Sequence, residues 1–279
     1  MKHLRVGIIG DPVEHSISPA MQQPALDELG ILAVYERWPT TTEALPGRIA
    51  SLRSEDALGA NVTAPHKLAV MELLDDVTPL ARRIGAVNTI ISRHGKLTGD
   101  NTDAYGFSAS LTSRFPSMDL GRIVLLGAGG AARAVVLALE TLGAREVVVW
   151  NRDRAKAERL RGELAPDLLR PIDPDVESLR GELANADLLI NATSLGWHSG
   201  EHPFPLDLLD EIRAGAVVTD LVYRDTDLLG AARARGLGAF DGLGMLVNQG
   251  ARGLELWTGK SAPIDVMMAA AVTERARRA

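Results

Sequence analysis

Residues 122–152 read RIVLLGAGGAARAVVLALETLGAREVVVWNR, and few stretches restrict a fold as tightly. The apolar runs IVLL and VVVW each suit a short buried strand, and the alanine- and leucine-rich run between them has helical length and is closed by Gly143. Strand, glycine turn, helix and strand make a β-α-β unit, the building block of a doubly wound sheet. The turn is GAGGAA, with Gly127, Gly129 and Ala132 at the spacing of a dinucleotide-binding fingerprint. Gly127 permits the tight turn, Gly129 lets backbone N–H groups approach a pyrophosphate, and Ala132 allows close helix–strand packing. A glycine-rich packing turn is the alternative, and the strand–turn–helix–strand setting favours nucleotide binding over it.

That unit accounts for little of a 279-residue chain, which is long enough for two domains or one large α/β unit. A composition of 46% hydrophobic and 24% charged residues is ordinary for a globular protein. Cysteine is absent, excluding disulfides and thiolate zinc sites, and the six histidines form no HExxH pair, so no metal is expected. The net charge of −6 argues against a nucleic-acid partner. No apolar run approaches the length of a membrane span, and VGIIGDP near the N-terminus is too short for a signal peptide. A cytoplasmic setting is expected.

Upstream, LRVGIIG (4–10) and VYERWPT (34–40) read as strands around a helix in SPAMQQPALDELG. A third apolar segment, ALGANVTAP (57–65), runs towards a helix expected near KLAVMELL. Further strands are expected at ADLLINATS (186–194), AVVTDLVY (216–223) and GAF before DGLG (238–244). The last 35 or so residues read as two helices separated by Gly259 and Pro263, folding back on the N-terminal domain, with Trp257 as a helix-packing residue. The expected fold is an N-terminal α/β substrate domain (1–103), a Rossmann-like doubly wound dinucleotide-binding domain (104–240) and C-terminal helices (241–279).

The second strand of the glycine unit ends in Trp150-Asn151-Arg152-Asp153-Arg154. NAD-binding folds place a carboxylate near this point for the ribose hydroxyls, whereas a 2′-phosphate needs a cation. Asn151 followed by Arg152 favours NADP, because a guanidinium fork matches phosphate geometry. Asp153 keeps NAD open as the weaker alternative.

Residues 61–67, NVTAPHK, satisfy an N-glycosylation sequon but sit where a strand ends, which is where open α/β sheets bind ligands. A nicotinamide enzyme needs a group to move a proton, and Lys67 is the candidate. The chain uses 25 arginines and five lysines, and arginine cannot be deprotonated. A second polar cluster, GDNTDAYG (99–106), follows GAVNTI (85–90) and carries Asp103 where an interdomain cleft is expected, with Asn88 and Asn101 nearby. From spacing alone these residues serve either catalysis or turn capping. His15 and His66 read as structural hydrogen bonders, since Lys67 fills the proton-transfer role.

HSISP (15–19), NVTAPHK, GAVNT (85–89), GDNTDAYG, GAGGAARA (127–134), NATSLG (191–196), DLVY (220–223) and GLGMLVNQG (242–250) occur in this order, and together they resemble the shikimate dehydrogenase family over about residues 5–265. The resemblance implies reversible, NADPH-dependent reduction of 3-dehydroshikimate to shikimate. It implies Ser16 and Ser18 as ligands of the substrate carboxylate. Asn61, Thr63, Asn88 and Gln249 would bind the ring hydroxyls and carboxylate surroundings, with Tyr223 close by. Lys67 and Asp103 resemble the catalytic pair and also touch substrate. Gly127, Ala128, Gly129, Gly130 and Ala131 match the pyrophosphate turn. Asn151, Arg152, Asp153 and Arg154 match the adenosine end, and Ala192, Thr193, Leu221, Gly242 and Met245 the nicotinamide surroundings.

Some positions depart from the family pattern. Gln23 replaces a common asparagine, Pro79 an acidic residue, Trp197 a methionine, and Arg224-Asp225 a longer Asn-Pro loop. None removes a catalytic group. The expected partner is a small-molecule substrate rather than nucleic acid or membrane, with the chain a monomer or homodimer. A quinate- or NAD-linked relative, and a silent shikimate or dinucleotide sensor, are the alternatives; a sensor has no reason to keep both Lys67 and Asp103.

Overall fold

The computed structural model describes residues 3–116 and 120–278. The chain divides into two compact units, Met1–Gly106 with Val247–Ala279, and Phe107–Leu246. The outermost bounds of the expected domains, residues 1 and 279, lie outside the described residues.

The first unit opens with β1 (Leu4–Gly10), α1 (Ser18–Glu28), β2 (Ala33–Pro39), α2 (Leu45–Ser51) and β3 (Ala57–Val62). Then come β4 (Asp76–Val77), α3 (Pro79–Ile84), β5 (Thr89–Arg93), β6 (Lys96–Asp100) and the start of α4 (Asp103–Arg114). The strands form one mixed sheet in the order β2-β1-β3-β5-β6-β4. β1 runs parallel to both β2 and β3, while β5 is antiparallel to β3 and β6. Residues 6–10 are all buried, as in a central parallel strand covered on both faces, which is why VGIIG carries no charge. One core under this sheet gathers Ile9, Trp38, Leu45, Ile49, Val62, Val87 and Ile90, and each fully buried aliphatic side chain stabilises the fold by roughly 1.5–3 kcal/mol.

The helix expected near KLAVMELL is a short 3-10 turn, Ala69–Leu73. The Lys67 carbonyl accepts from Val87 N–H, so Met71 N–H bonds Leu68 instead of reaching back four residues. With β4 beginning at Asp76, no length remains for an α-helix.

The second unit follows with β7 (Arg122–Leu126), α5 (Gly130–Thr141), β8 (Glu146–Trp150), α6 (Arg154–Leu164) and β9 (Leu169–Pro171). It continues with α7 (Val176–Leu183), β10 (Leu188–Asn191), β11 (Val217–Asp220), α8 (Asp227–Ala234) and β12 (Gly238–Phe240). All pairings are parallel, in the order β12-β11-β10-β7-β8-β9. This is the doubly wound arrangement, with the strand order reversing between β7 and β10. Helices α9 (Leu243–Thr258) and α10 (Ile264–Arg278) end the chain, and α10 packs on α1. Trp257 lies on the sheet: its indole N–H donates to the Ile90 carbonyl at 2.9 Å, over Gly59, where a Cβ would come within 2.7 Å of that nitrogen.

Candidate functional site

In the first unit the winding reverses at β1, with β2 on one side and β3 on the other. The loops leaving β1 and β3 are bonded together there. Thr63 N–H donates to Ile9 O at 2.9 Å and Asp11 N–H to Ala64 O at 3.2 Å. HSISP and NVTAPHK therefore share one switch point at the carboxyl ends of the strands.

Lys67 Nζ lies 2.6 Å from Asp103 Oδ2, and the two side chains are only 20% and 8% exposed. The partner reaches Lys67 through a hairpin that the sequence reading did not name. His94 and Gly95 have φ of 51° and 76°, the pair of left-handed residues that closes a two-residue turn. Thr89 then faces Asp100 across β5 and β6, so GAVNT and GDNTD come side by side. Alternation in TIISR and KLTGD around His-Gly was the available signal.

Asn88 is the hub of the cluster. Its amide N–H groups donate to Asp103 Oδ1 (2.8 Å), Thr102 Oγ1 (3.0 Å) and Gln249 Oε1 (3.3 Å). Its oxygen accepts from Thr102 N–H at 2.8 Å and Thr89 Oγ1 at 3.0 Å. Asn101 accepts from Asp103 N–H at 3.0 Å and donates to Ala86 O at 3.0 Å, fixing the start of α4. Asp103 is thus held at both oxygens, one by an ammonium and one by an amide. Thr102 and Thr89, which the motif reading left out, are as buried as the predicted residues.

A second group of bonds lies towards the serines. The Tyr35 hydroxyl, with the Ser18 side chain beside it, donates to Asn61 Oδ1 at 2.7 Å. Burial raises the Tyr35 pKa far above its usual range, so it stays a donor. Asn61 Nδ2 donates in turn to Asn88 O and Thr89 Oγ1, both at 3.3 Å. Every hydrogen of the Asn61 amide is therefore used inside the protein. Ser16 Oγ accepts from Ser18 N–H at 3.2 Å, which leaves its own proton to donate. Among the described residues the Thr63 hydroxyl has no partner. His66 is buried, with Nε2 donating to Thr40 O at 2.6 Å, while the His15 ring is exposed. Gln23 ties α1 to β2, bonding Asp27, Ala33 O and Tyr35 N–H.

In the second unit Gly127 ends β7 with φ 101°, and a Cβ there would lie 3.0 Å from the Ala192 carbonyl after β10. The two strands meet at the switch point. Gly129 has nothing within 4 Å of an added Cβ, and Gly130 and Ala131 open α5, where N–H groups lack intrahelical acceptors. Ala128 precedes them, half-buried, and Ala132 packs fully buried. An open cradle of backbone donors fits a pyrophosphate.

At the end of β8, Asn151 Nδ2 donates to the Asp153 carbonyl at 2.7 Å. Arg152 is exposed and has no ion-pair partner among the described residues, whereas Arg154 pairs with Asp173 and Glu158. Asp153 precedes α6 without a side-chain cap bond. Below the switch point, buried Asp220 accepts from Asn191 Nδ2 (3.1 Å), Val222 N–H (3.0 Å) and Thr226 Oγ1 (2.9 Å). Burial raises its pKa. Asn191 also accepts from the Thr193 hydroxyl at 2.7 Å, so one network sets the loops carrying Ala192, Thr193 and Leu221. A Cβ on Gly242 would meet Leu221 O at 2.1 Å, and Met245 sits half-buried in α9. Tyr223 belongs to this unit and packs edge-on against Trp197, centroids 4.8 Å apart. Arg224 donates to the Trp197 carbonyl.

Among the described residues no group of side chains could hold a metal, and no helix is long and apolar enough to cross a membrane.

A parallel doubly wound sheet with an open cradle of backbone donors defines a dinucleotide-binding α/β protein, and the other unit carries a closely paired lysine and carboxylate of the kind that can move a proton. Residues 8–90 match the model of the shikimate dehydrogenase substrate binding domain, 110–197 that of shikimate / quinate 5-dehydrogenase, and 242–272 that of the shikimate 5'-dehydrogenase C-terminal domain. Shikimate dehydrogenase (NADP(+)) of Symbiobacterium thermophilum is 45% identical over 96% of this chain and 93% of its own length. The crystal structure of shikimate 5-dehydrogenase from Thermus thermophilus, in complex with NADP(H) and shikimate, is 41% identical with a TM-score of 0.86, covering 97% of this chain and 99% of that one. Quinate dehydrogenase from Corynebacterium glutamicum in complex with NAD is 30% identical with a TM-score of 0.89, covering 97% and 99%. The chain belongs to the shikimate dehydrogenase family.

Proposed function

We infer that this chain is an NADP-dependent shikimate dehydrogenase, reducing 3-dehydroshikimate reversibly to shikimate in aromatic amino-acid biosynthesis. The observation that carries the reading is the 2.6 Å contact of Lys67 with Asp103 inside a cluster of neutral amides and hydroxyls. A small polyhydroxylated acid needs many directional neutral hydrogen bonds and one group that moves a proton.

Bound NADPH supplies a hydride to the ketone carbon. Lys67, as ammonium, delivers its proton to the oxygen that becomes the C–OH group, and neutral Lys67 takes that proton back in the reverse direction. Asp103 holds the ammonium through Oδ2, while the Asn88 amide on Oδ1 fixes the plane of the carboxylate. The preset geometry places positive charge where the alkoxide develops. The free Thr63 hydroxyl and the Ser16 proton support these groups as direct substrate ligands, with Ser18, Asn88, Gln249 and Tyr223 in the same role. Asn61 stands in the same proposed set, held in place by its bonds to Tyr35, Asn88 O and Thr89 Oγ1. On the other unit the turn Gly127–Ala131 suits the pyrophosphate and Arg152 the 2′-phosphate. Asn151, Asp153 and Arg154 flank the adenosine, and Ala192, Thr193, Leu221, Gly242 and Met245 the nicotinamide. We take the enzyme to be cytoplasmic and to work as a monomer or homodimer.

Asp153 beside Arg152, with Arg154 engaged by Asp173, keeps an NAD-linked quinate/shikimate dehydrogenase as the second reading. A spectrophotometric assay of shikimate and quinate oxidation with NADP and NAD decides. The largest kcat/KM is expected for shikimate with NADP; activity in none of the four combinations would leave a silent sensor.

A further inference from the structure

Two guanidinium groups from distant parts of the chain converge on consecutive carbonyls of the loop between β1 and α1. Arg37, on β2, donates from Nε (3.3 Å) and Nη2 (2.8 Å) to Ser16 O. Arg278, in the last turn of α10, donates from Nη1 to His15 O at 2.9 Å. These carbonyls belong to the two peptide groups flanking the Ser16 Cα. Pinning both fixes the backbone angles of Ser16, and with them the direction of its side chain. The loop has few bonds of its own, chiefly Ser16 N–H to Val13 O at 3.0 Å and Ser18 N–H to Ser16 Oγ at 3.2 Å.

The two arginines differ in charge balance. Arg278 is paired with Glu274 at 2.6 Å, and with Arg277 it holds the Glu274 carboxyl down at about 2. Among the described residues Arg37 has no ion-pair partner, so its charge remains available to an anion at the loop. A carboxylate bound by serine hydroxyls alone receives no full countercharge from them; Arg37 provides one through the Ser16 peptide.

We propose that Arg37 and Arg278 are positioning residues for the substrate carboxylate, clamping the Ser16 peptide groups so that the serine hydroxyls are preset, with Arg37 adding the uncompensated positive charge. The proposal rests on the assignment of Ser16 and Ser18 as carboxylate ligands. Preorganising a loop cuts the ordering loss on binding, so its effect belongs in KM rather than kcat.

Steady-state kinetics of Arg37→Ala, Arg37→Lys, Arg278→Ala and Ser16→Ala test it, with shikimate and with methyl shikimate, in which the carboxylate is esterified. Arg37→Ala should raise KM for shikimate about tenfold, with kcat and the KM for NADP within about twofold and a rise of no more than about threefold towards the ester, which loses the preset hydroxyls but not a countercharge. Arg37→Lys, which keeps the charge, should recover most of the loss. Arg278→Ala should raise KM about threefold, because only one of the two peptide groups is released. An unchanged KM in Arg37→Ala beside a raised KM in Ser16→Ala overturns the clamp and leaves the serine assignment standing. An unchanged KM in Ser16→Ala removes that assignment and the clamp with it. A loss equal for acid and ester, or a fall in kcat together with a lowered Tm, reduces the arginines to ordinary structural residues.

Discussion

Both sheets reverse their winding once, and both offer ligands the carboxyl ends of strands at that reversal, yet the two places are built from different materials. At the first, between β1 and β3, the proposed site is made of side chains: Lys67, Asp103, Asn88, Gln249 and the serine loop present an ammonium, a carboxylate, amides and hydroxyls. At the second, between β7 and β10, the proposed site is backbone, and the side chains of Gly127 and Gly129 matter by being absent. A substrate that must be told from its isomers needs directional contacts, one per hydroxyl. A pyrophosphate needs only a shaped array of N–H groups. Substitutions should therefore act through lost chemistry at the first site and through added bulk at the second.

The largest effect expected is at Lys67. Removing the ammonium of the first cluster should lower kcat by roughly 10²-fold or more in both directions, with NADP binding unchanged. Initial rates with saturating cofactor measure it. Near-normal turnover in Lys67→Ala would move proton transfer to another group and erase the chemical contrast between the sites.

A smaller effect is expected where the second site does use side chains. Arg152 is unpaired among the described residues, and Arg154 is already held by Asp173 and Glu158. Arg152→Ala should weaken NADP binding to the free protein about tenfold and NAD binding less than about twofold. Arg154→Ala should change NADP binding by no more than about threefold, since its guanidinium must first leave two carboxylates. Titration calorimetry with each nucleotide reads both. Equal losses for NADP and NAD in Arg152→Ala would refute the phosphate assignment.

The same contrast explains what the sequence made legible. The second unit could be read almost strand by strand, because a buried parallel strand is a run of apolar residues and its turn is written in glycine. The first sheet was harder. β4, β5 and β6 are short, antiparallel or half-buried, and the helix expected at KLAVMELL gave way because Val87 takes the Lys67 carbonyl. Within the site, Lys67 and Asp103 stood out by residue type, but their 2.6 Å pairing depends on the His94-Gly95 turn, a local signal with a long-range result. Tyr35, Arg37 and Arg278 carried no motif at all. They act through backbone and neighbouring side chains whose positions only the folded sheet defines.

The smallest effect is expected inside the glycine turn, where it separates two reasons for glycine. Gly127 has φ 101° and would put a Cβ 3.0 Å from Ala192 O, so alanine there is strained whether or not nucleotide is bound. Gly127→Ala should destabilise the free protein by about 1 kcal/mol or more, a fall in Tm of a few degrees. Gly129 has φ −88° and open space around an added Cβ, so Gly129→Ala should leave Tm of the free protein unchanged or slightly raised. Its methyl would instead stand where the pyrophosphate approaches, and NADP binding should weaken by about threefold. Thermal melts of both variants over a range of NADP concentrations give the answer, because ligand that binds only the folded state raises Tm with the logarithm of its concentration over Kd. If Gly129→Ala melts early without nucleotide and keeps its full NADP shift, Gly129 serves the fold rather than the phosphates, and the cradle must be drawn from Gly130 and Ala131 alone.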